Sequence, residues 1–173
     1  PVYREILASP SRDDASQALL DCVLDAIRFG DPMPTLAEPL KAVVEDASYL
    51  PAIRRDALKA LMHVTQGDST QLLRLAEDIR TGAIEDRDDE ILGVLLGKLY
   101  PHFISPAQVF DFLHLPKDRD LIGRFFMFWI HDLPAQTPKD DLPTLLDKLV
   151  ERQIVLEESR YEHQIHQMTG ELL

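Results

Sequence analysis

Residues Ile53–Leu61 read IRRDALKAL, and the stretch recurs in altered form as ILGVLLGKL at Ile91–Leu99 and LIGRFFMFW at Leu121–Trp129. Aligned, the three place Leu58, Leu96 and Phe126 at one position, with Leu61, Leu99 and Trp129 three residues later. Leu20 and Val23 lie 38 residues ahead of Leu58 and Leu61, which in turn lie 38 residues ahead of Leu96 and Leu99. A period near the ~40 residues of helical-hairpin arrays predicts stacked units, each too small to bury its own apolar face. Arrays of this kind offer surface to partners and carry no chemistry of their own.

Outward from these stretches, helix signals dominate. Ser11 with Asp13 and Asp14 suits a helix start, through capping and the positive end of the helix dipole. Leu19, Leu20, Val23, Leu24 and Ile27 then recur at helical spacing, and Gly30 is placed to stop the helix. A second helix is expected from Thr35, with Pro39 tolerated only in its first turn. Pro51 opens the third, where its missing amide is no loss, and Gly67 ends it. Asp68 or Ser69 caps the fourth, closed by Gly82, and a run of acidic residues leads into the fifth, which reaches Tyr100. Ser105-Pro106 predicts a short sixth helix carrying Val109, Phe110, Phe112 and Leu113. A seventh should run from Asp118 or Asp120 to just before Pro134. An eighth carries Leu142, Leu145, Leu146, Leu149 and Val150, and a last, from Ile154, carries Tyr161, Ile165, Met168 and Leu172. About nine helices with short connections define an all-α fold, read as antiparallel helical hairpins stacked in a solenoid.

Composition is that of an ordinary folded chain: 173 residues, 45% hydrophobic and 28% charged, with no obvious linker. A single helical-repeat domain over 1–173 follows. The ends, Pro1 and the apolar Leu172-Leu173, read as those of a piece of a longer protein. A net charge of −12 argues against nonspecific nucleic-acid binding, which needs a positive footprint. The single cysteine cannot form an internal disulfide, which suits a reducing, cytoplasmic setting. Cys22 lies within ALLDCVLDAI and reads as a small buried hydrophobe. No apolar run approaches the ~20 residues of a membrane-spanning helix.

Candidate chemistry does not assemble. His163 and His166 are three apart beside Glu162, but no further zinc-ligand motif accompanies them, so they read as a solvated helix face. The acidic run Glu85, Asp86, Asp88, Asp89, Glu90 lacks the glycine that an EF-hand loop needs at its sixth position, where Ile91 stands. Acidic residues at a helix start are expected from the dipole alone. The remaining histidines and serines form no nucleophile elbow. Phe125, Phe126, Phe128 and Trp129 cover every side of a helix, which points to burial, with Trp129 kept also as an aromatic contact for a partner.

Pro51–Leu61 resembles the second helix of a HEAT repeat. Ile53-Arg54 stands where that family often has a Val-Arg pair, with Ala57, Leu58 and Leu61 following. Asp88, Asp89, Asp118 and Asp120 are similar to the family's loop aspartates. The string DRDDEILGVLLGKLYPHFISPAQVFDFL, Asp86–Leu113, resembles the helical region that follows the nucleotide-binding module of bacterial STAND or NACHT-type NTPases. No Gly-x-x-x-x-Gly-Lys-Ser/Thr loop is present here.

These resemblances imply a non-catalytic scaffold that binds a protein or another domain of its own chain, with no cofactor or metal. The alternative they imply is the regulatory or sensor segment of an NTPase whose nucleotide-binding module lies outside these residues. Arg54, Arg55, Lys59 and Lys98 are the expected surface contacts, together with Trp129.

Overall fold

A computed structural model describes residues 2–8, 13–118 and 121–152. Among them the fold is all-α, without strands: α1 (Val2–Leu7), α2 (Asp14–Phe29), α3 (Ala37–Glu45), α4 (Pro51–Val64), α5 (Ser69–Arg80), α6 (Glu90–Leu99), α7 (Arg124–Met127), α8 (Leu133–Gln136) and α9 (Leu142–Arg152). The last expected helix, from Ile154, and the histidine pair upon it lie outside the described residues, as do Ser11 and Asp120.

The eight aligned positions are all buried. Leu20 and Val23 on α2, Leu58 and Leu61 on α4, Leu96 and Leu99 on α6, Phe126 on α7 and Trp129 just beyond it all face the core. Their helices touch in succession: α2 packs on α4, α4 on α6, and α6 on α7. α3 packs against α4, and α5 against α6. Burying a Leu side chain fully stabilises by about 1.5–3 kcal/mol, so this apolar seam is the main source of cohesion.

Local starts and stops follow the sequence closely. Asp13 caps α2 by accepting from the Ser16 amide at 2.9 Å, and Gly30 ends it. A 3₁₀ turn at Pro34–Leu36 leads into α3, whose Pro39 falls in the first turn. Asp68 accepts from the Thr70 amide at 3.0 Å to cap α5, and Gly82, at φ +79°, turns the chain out of it.

Three details differ from expectation. Residues 105–113 form turns and a single 3₁₀ turn at Val109–Asp111 instead of a helix, although Val109, Phe110 and Phe112 are buried. The Ser105 carbonyl takes both the Gln108 and Val109 amides at 2.9 Å, closing one turn that does not propagate. The seventh helix starts at Arg124 and passes through Pro134, by way of a π segment at Phe128–Asp132. Proline cannot donate to the carbonyl four residues back and collides with it, and the widened turn ahead of Pro134 accommodates this. Cys22 is exposed, not buried. It lies about 200° around the helix from Leu20, opposite the stripe of Leu20, Val23, Leu24 and Ile27.

Candidate functional site

The five expected contact residues separate. Arg54 is 2% exposed, and its Nε donates to the Val44 carbonyl at 2.8 Å, closing the C-terminal end of α3. It leads Ala57, Leu58 and Leu61 by three, four and seven residues, so it stands within the buried stripe of α4 and cannot serve as a surface contact. Burial lowers its pKa, while Asp86, Asp88, Glu85 and Asp46 pull the other way. Arg55 and Lys59 are partly exposed on the flank. Arg55 Nη1 lies 3.3 Å from Glu90 Oε2, and Lys59 Nζ lies 2.7 Å from Asp56 Oδ1. Burial pushes the Asp56 carboxyl up, but the Lys59 hydrogen bond and the nearby charges of Lys59, Arg55 and Arg28 hold it below the usual range.

Lys98 is exposed and lines a concavity of about 480 Å³ with Met62, His63 and Gly67. Trp129 is 4% exposed, a core side chain and not a surface anchor. Its Nε1 is buried without a hydrogen-bond partner among the described residues. Phe125, Phe126 and Phe128 are buried with it.

The acidic run ahead of α6 does more than oppose a helix dipole. Asp86 folds forward, its Oδ2 accepting from the Leu92 amide at 2.8 Å and its Oδ1 from Ile91 at 3.4 Å. Burial pushes its carboxyl up to about 6, partly opposed by these two amides, with Asp88 and Asp89 adding to the rise. Asp89 is fully buried and has φ +60°, a left-handed conformation that Asp tolerates better than most side chains. Its Oδ2 accepts from the Lys117 amide at 2.9 Å, and its Oδ1 lies 2.8 Å from Lys117 Nζ. Lys117 Nζ also donates to the Asp86 carbonyl at 2.6 Å. Glu90 accepts from the Arg124 amide at the start of α7 and pairs with Arg55. Three carboxylates from one short run thereby join α4, α6, α7 and the 113–118 segment.

Two glycines permit that junction. A Cβ on Gly93 would lie 2.1 Å from the Phe125 amide nitrogen, so α6 and α7 touch backbone to backbone there. A Cβ on Gly123 would lie 1.9 Å from Glu90 Oε1.

Beside the junction a cleft of about 390 Å³ opens between the end of α5 and the 111–117 segment. Ile79, Leu92 and Phe112 give it an apolar floor, and Arg80, Asp111, His114 and Lys117 stand around it. Each of these three basic side chains is held. Arg80 Nε donates to Glu77 at 2.6 Å, with the guanidinium 5.9 Å from the Phe112 ring centroid. His114 stacks on Phe125 with ring centroids 4.8 Å apart, and its Nδ1 lies 2.9 Å from the Leu115 carbonyl oxygen. Lys117 is fixed by Asp89. Sequence periodicity missed Arg80, His114 and Lys117, because they come from two segments that no helical register connects.

No family model, no curated protein and no solved structure matches the chain. Among the described residues no group of three or more His, Cys, Asp or Glu is placed to hold a metal ion. No helix among them is long and apolar enough to cross a membrane.

Proposed function

We propose that this chain is a non-catalytic helical-repeat scaffold, a HEAT-like stack of antiparallel hairpins that binds a protein or another domain of its own chain. One observation carries the reading: the positions aligned from sequence are buried on helices that pack in succession, α2 on α4, α4 on α6, α6 on α7. A stack of that kind uses its apolar residues internally and leaves its polar faces and concavities for partners. Lys98, exposed in a concavity of about 480 Å³, is the sequence-derived contact best placed for that role. Lys59, on the flank of α4, is the next.

The test is affinity capture by the purified chain from cells that express it, compared with Lys98→Glu and Lys59→Glu. A protein that co-elutes stoichiometrically in size-exclusion chromatography, and is lost with either charge reversal, supports the scaffold. Turnover of a substrate by the purified chain, or stoichiometric metal by elemental analysis, overturns it. X-ray scattering tests the stacked shape separately, since a curved array scatters as a more extended body than a compact bundle of equal mass.

A further inference from the structure

We infer that the outer face of α2 is the contact between two copies of this chain, paired antiparallel about a two-fold axis at Cys22. This goes beyond the scaffold reading and does not rest on it, because only the side of α2 turned away from the seam takes part.

Ala15, Leu19, Cys22, Ala26 and Phe29 follow one another at spacings of four, three, four and three, the heptad rhythm of paired helices. With Ala18 they span about 100° of the helix, turned away from Leu20, Val23, Leu24 and Ile27. All six are exposed, Leu19 by 51% and Phe29 by 76%, and no charged residue falls among them. By contrast, the exposed residues of α5 and α6 are Thr70, Arg74, Arg80 and Lys98. A continuous apolar face left to solvent marks an interaction surface.

What fits the face is the face itself. Reversed about Cys22, it sets Ala15 of one copy against Phe29 of the other, Leu19 against Ala26, and Cys22 against Cys22. Each large side chain meets a small one, so the layers have similar bulk. A parallel pair would set Phe29 on Phe29 and Ala15 on Ala15, crowding one end and leaving the other empty. Opposed helix dipoles also favour the reversed pair, which uses one patch twice, as two-fold dimers do. With aromatic side chains burying ~150–250 Å² each, two such faces cover on the order of 1,000 Å² in total, at the lower end for a specific interface. The dimer is therefore weak and concentration-dependent. The charged edge of the face weakens it further. Asp21 is exposed near the carboxylates of Asp56 and Asp25. The Asp25 side chain is 64% exposed and lies 3.8 Å from Arg28, whose guanidinium sits 4.8 Å from the Phe29 ring centroid. The two-fold brings like edges together, so screening by salt strengthens the pair.

Sedimentation equilibrium of the reduced chain, from about 10 μM to about 1 mM, should show a monomer–dimer equilibrium with a dissociation constant of roughly 10–300 μM. Leu19→Glu and Ala26→Glu should each weaken it about tenfold or more, since each buries a carboxylate in the contact. Circular dichroism should not change, because both positions are exposed. Thr70→Glu, which adds the same charge on α5, and Lys98→Glu, which probes the scaffold, should leave the dimer intact. Cys22 is the single cysteine, so a short bis-maleimide can join two copies only through it and should capture the dimer. Moving the thiol by combining Cys22→Ala with Ala15→Cys sets the two sulfurs about 21 Å apart along the helix and should abolish capture. A chain that stays monomeric throughout, equal capture through Ala15→Cys, capture that Leu19→Glu does not reduce, or association that salt weakens would overturn the pairing. If the chain is monomeric while Leu19→Glu releases a captured protein, the face belongs to that protein and the pairing falls.

Discussion

The α2–α4–α6 seam and the α6–α7 junction are both buried, yet they are held by opposite means. The seam is apolar: Leu20, Leu58 and Leu96 are buried on helices that pack in succession, and neighbouring helices need only the right spacing to meet. The junction is polar and particular. Asp86, Asp89 and Glu90 each reach a different partner, and Gly93 and Gly123 vacate the space in which the backbones meet. Non-directional burial tolerates small changes of angle, whereas hydrogen-bonded carboxylates do not. The seam should therefore give way by degrees and the junction by single contacts.

Leu96→Ala should produce the largest loss, roughly 2–5 kcal/mol in urea melts, through a cavity where α6 meets its neighbours. A loss below about 1 kcal/mol would show that the seam is not continuous through α6. Two glycines on that helix sharpen the contrast. Gly93→Ala sets a methyl group against the α7 backbone and should cost about 3 kcal/mol, with α7 displaced. Gly97→Ala, one turn later, meets only side-chain atoms, Asp132 Oδ2 at 3.5 Å and Arg124 Nη2 at 3.6 Å. It should be neutral or stabilise by up to about 1 kcal/mol from helix propensity. Equal effects at the two sites would mean that α6 and α7 do not touch as described.

The junction's signature is its pH response. A carboxyl whose folded pKa is raised keeps its proton longer in the folded than in the unfolded chain. Its contribution to stability is then lost as pH rises, in the window from its ordinary 3.8 to about 6. Asp86→Asn removes that titration. The stability difference between wild type and variant should shift toward the variant by on the order of 2–3 kcal/mol between pH 4 and pH 7. A flat difference would show that Asp86 is solvated. Lys59→Gln should do least, under about 1 kcal/mol, because its pair with Asp56 is partly exposed.

Arg54 shows how much could be read and how it was missed. Its offsets to Ala57, Leu58 and Leu61 place it on the buried stripe, but a charged residue beside Arg55 invites assignment to the surface. Charged residues are rarely fully buried, so the general rule outweighed the local geometry. Cys22 is the mirror case: an apolar neighbourhood suggested burial, whereas its angle on α2 places it outside. For Trp129 the aromatic run that covers every side of its helix points to burial, as observed, while the enrichment of Trp at interfaces points the other way.

The sequence by itself determined the all-α class, most helix starts and stops, and the buried seam, since these rest on spacing within one helix and on caps within a few residues. Only the tertiary structure decided where the acidic run ahead of α6 reaches, which glycines lie between backbones, and that Arg80, His114 and Lys117 surround one cleft. Those contacts join Asp89 to Lys117 and Gly93 to Phe125 across loops of irregular conformation. Helical periodicity carries no information across such loops, because their path is set by what they pack against.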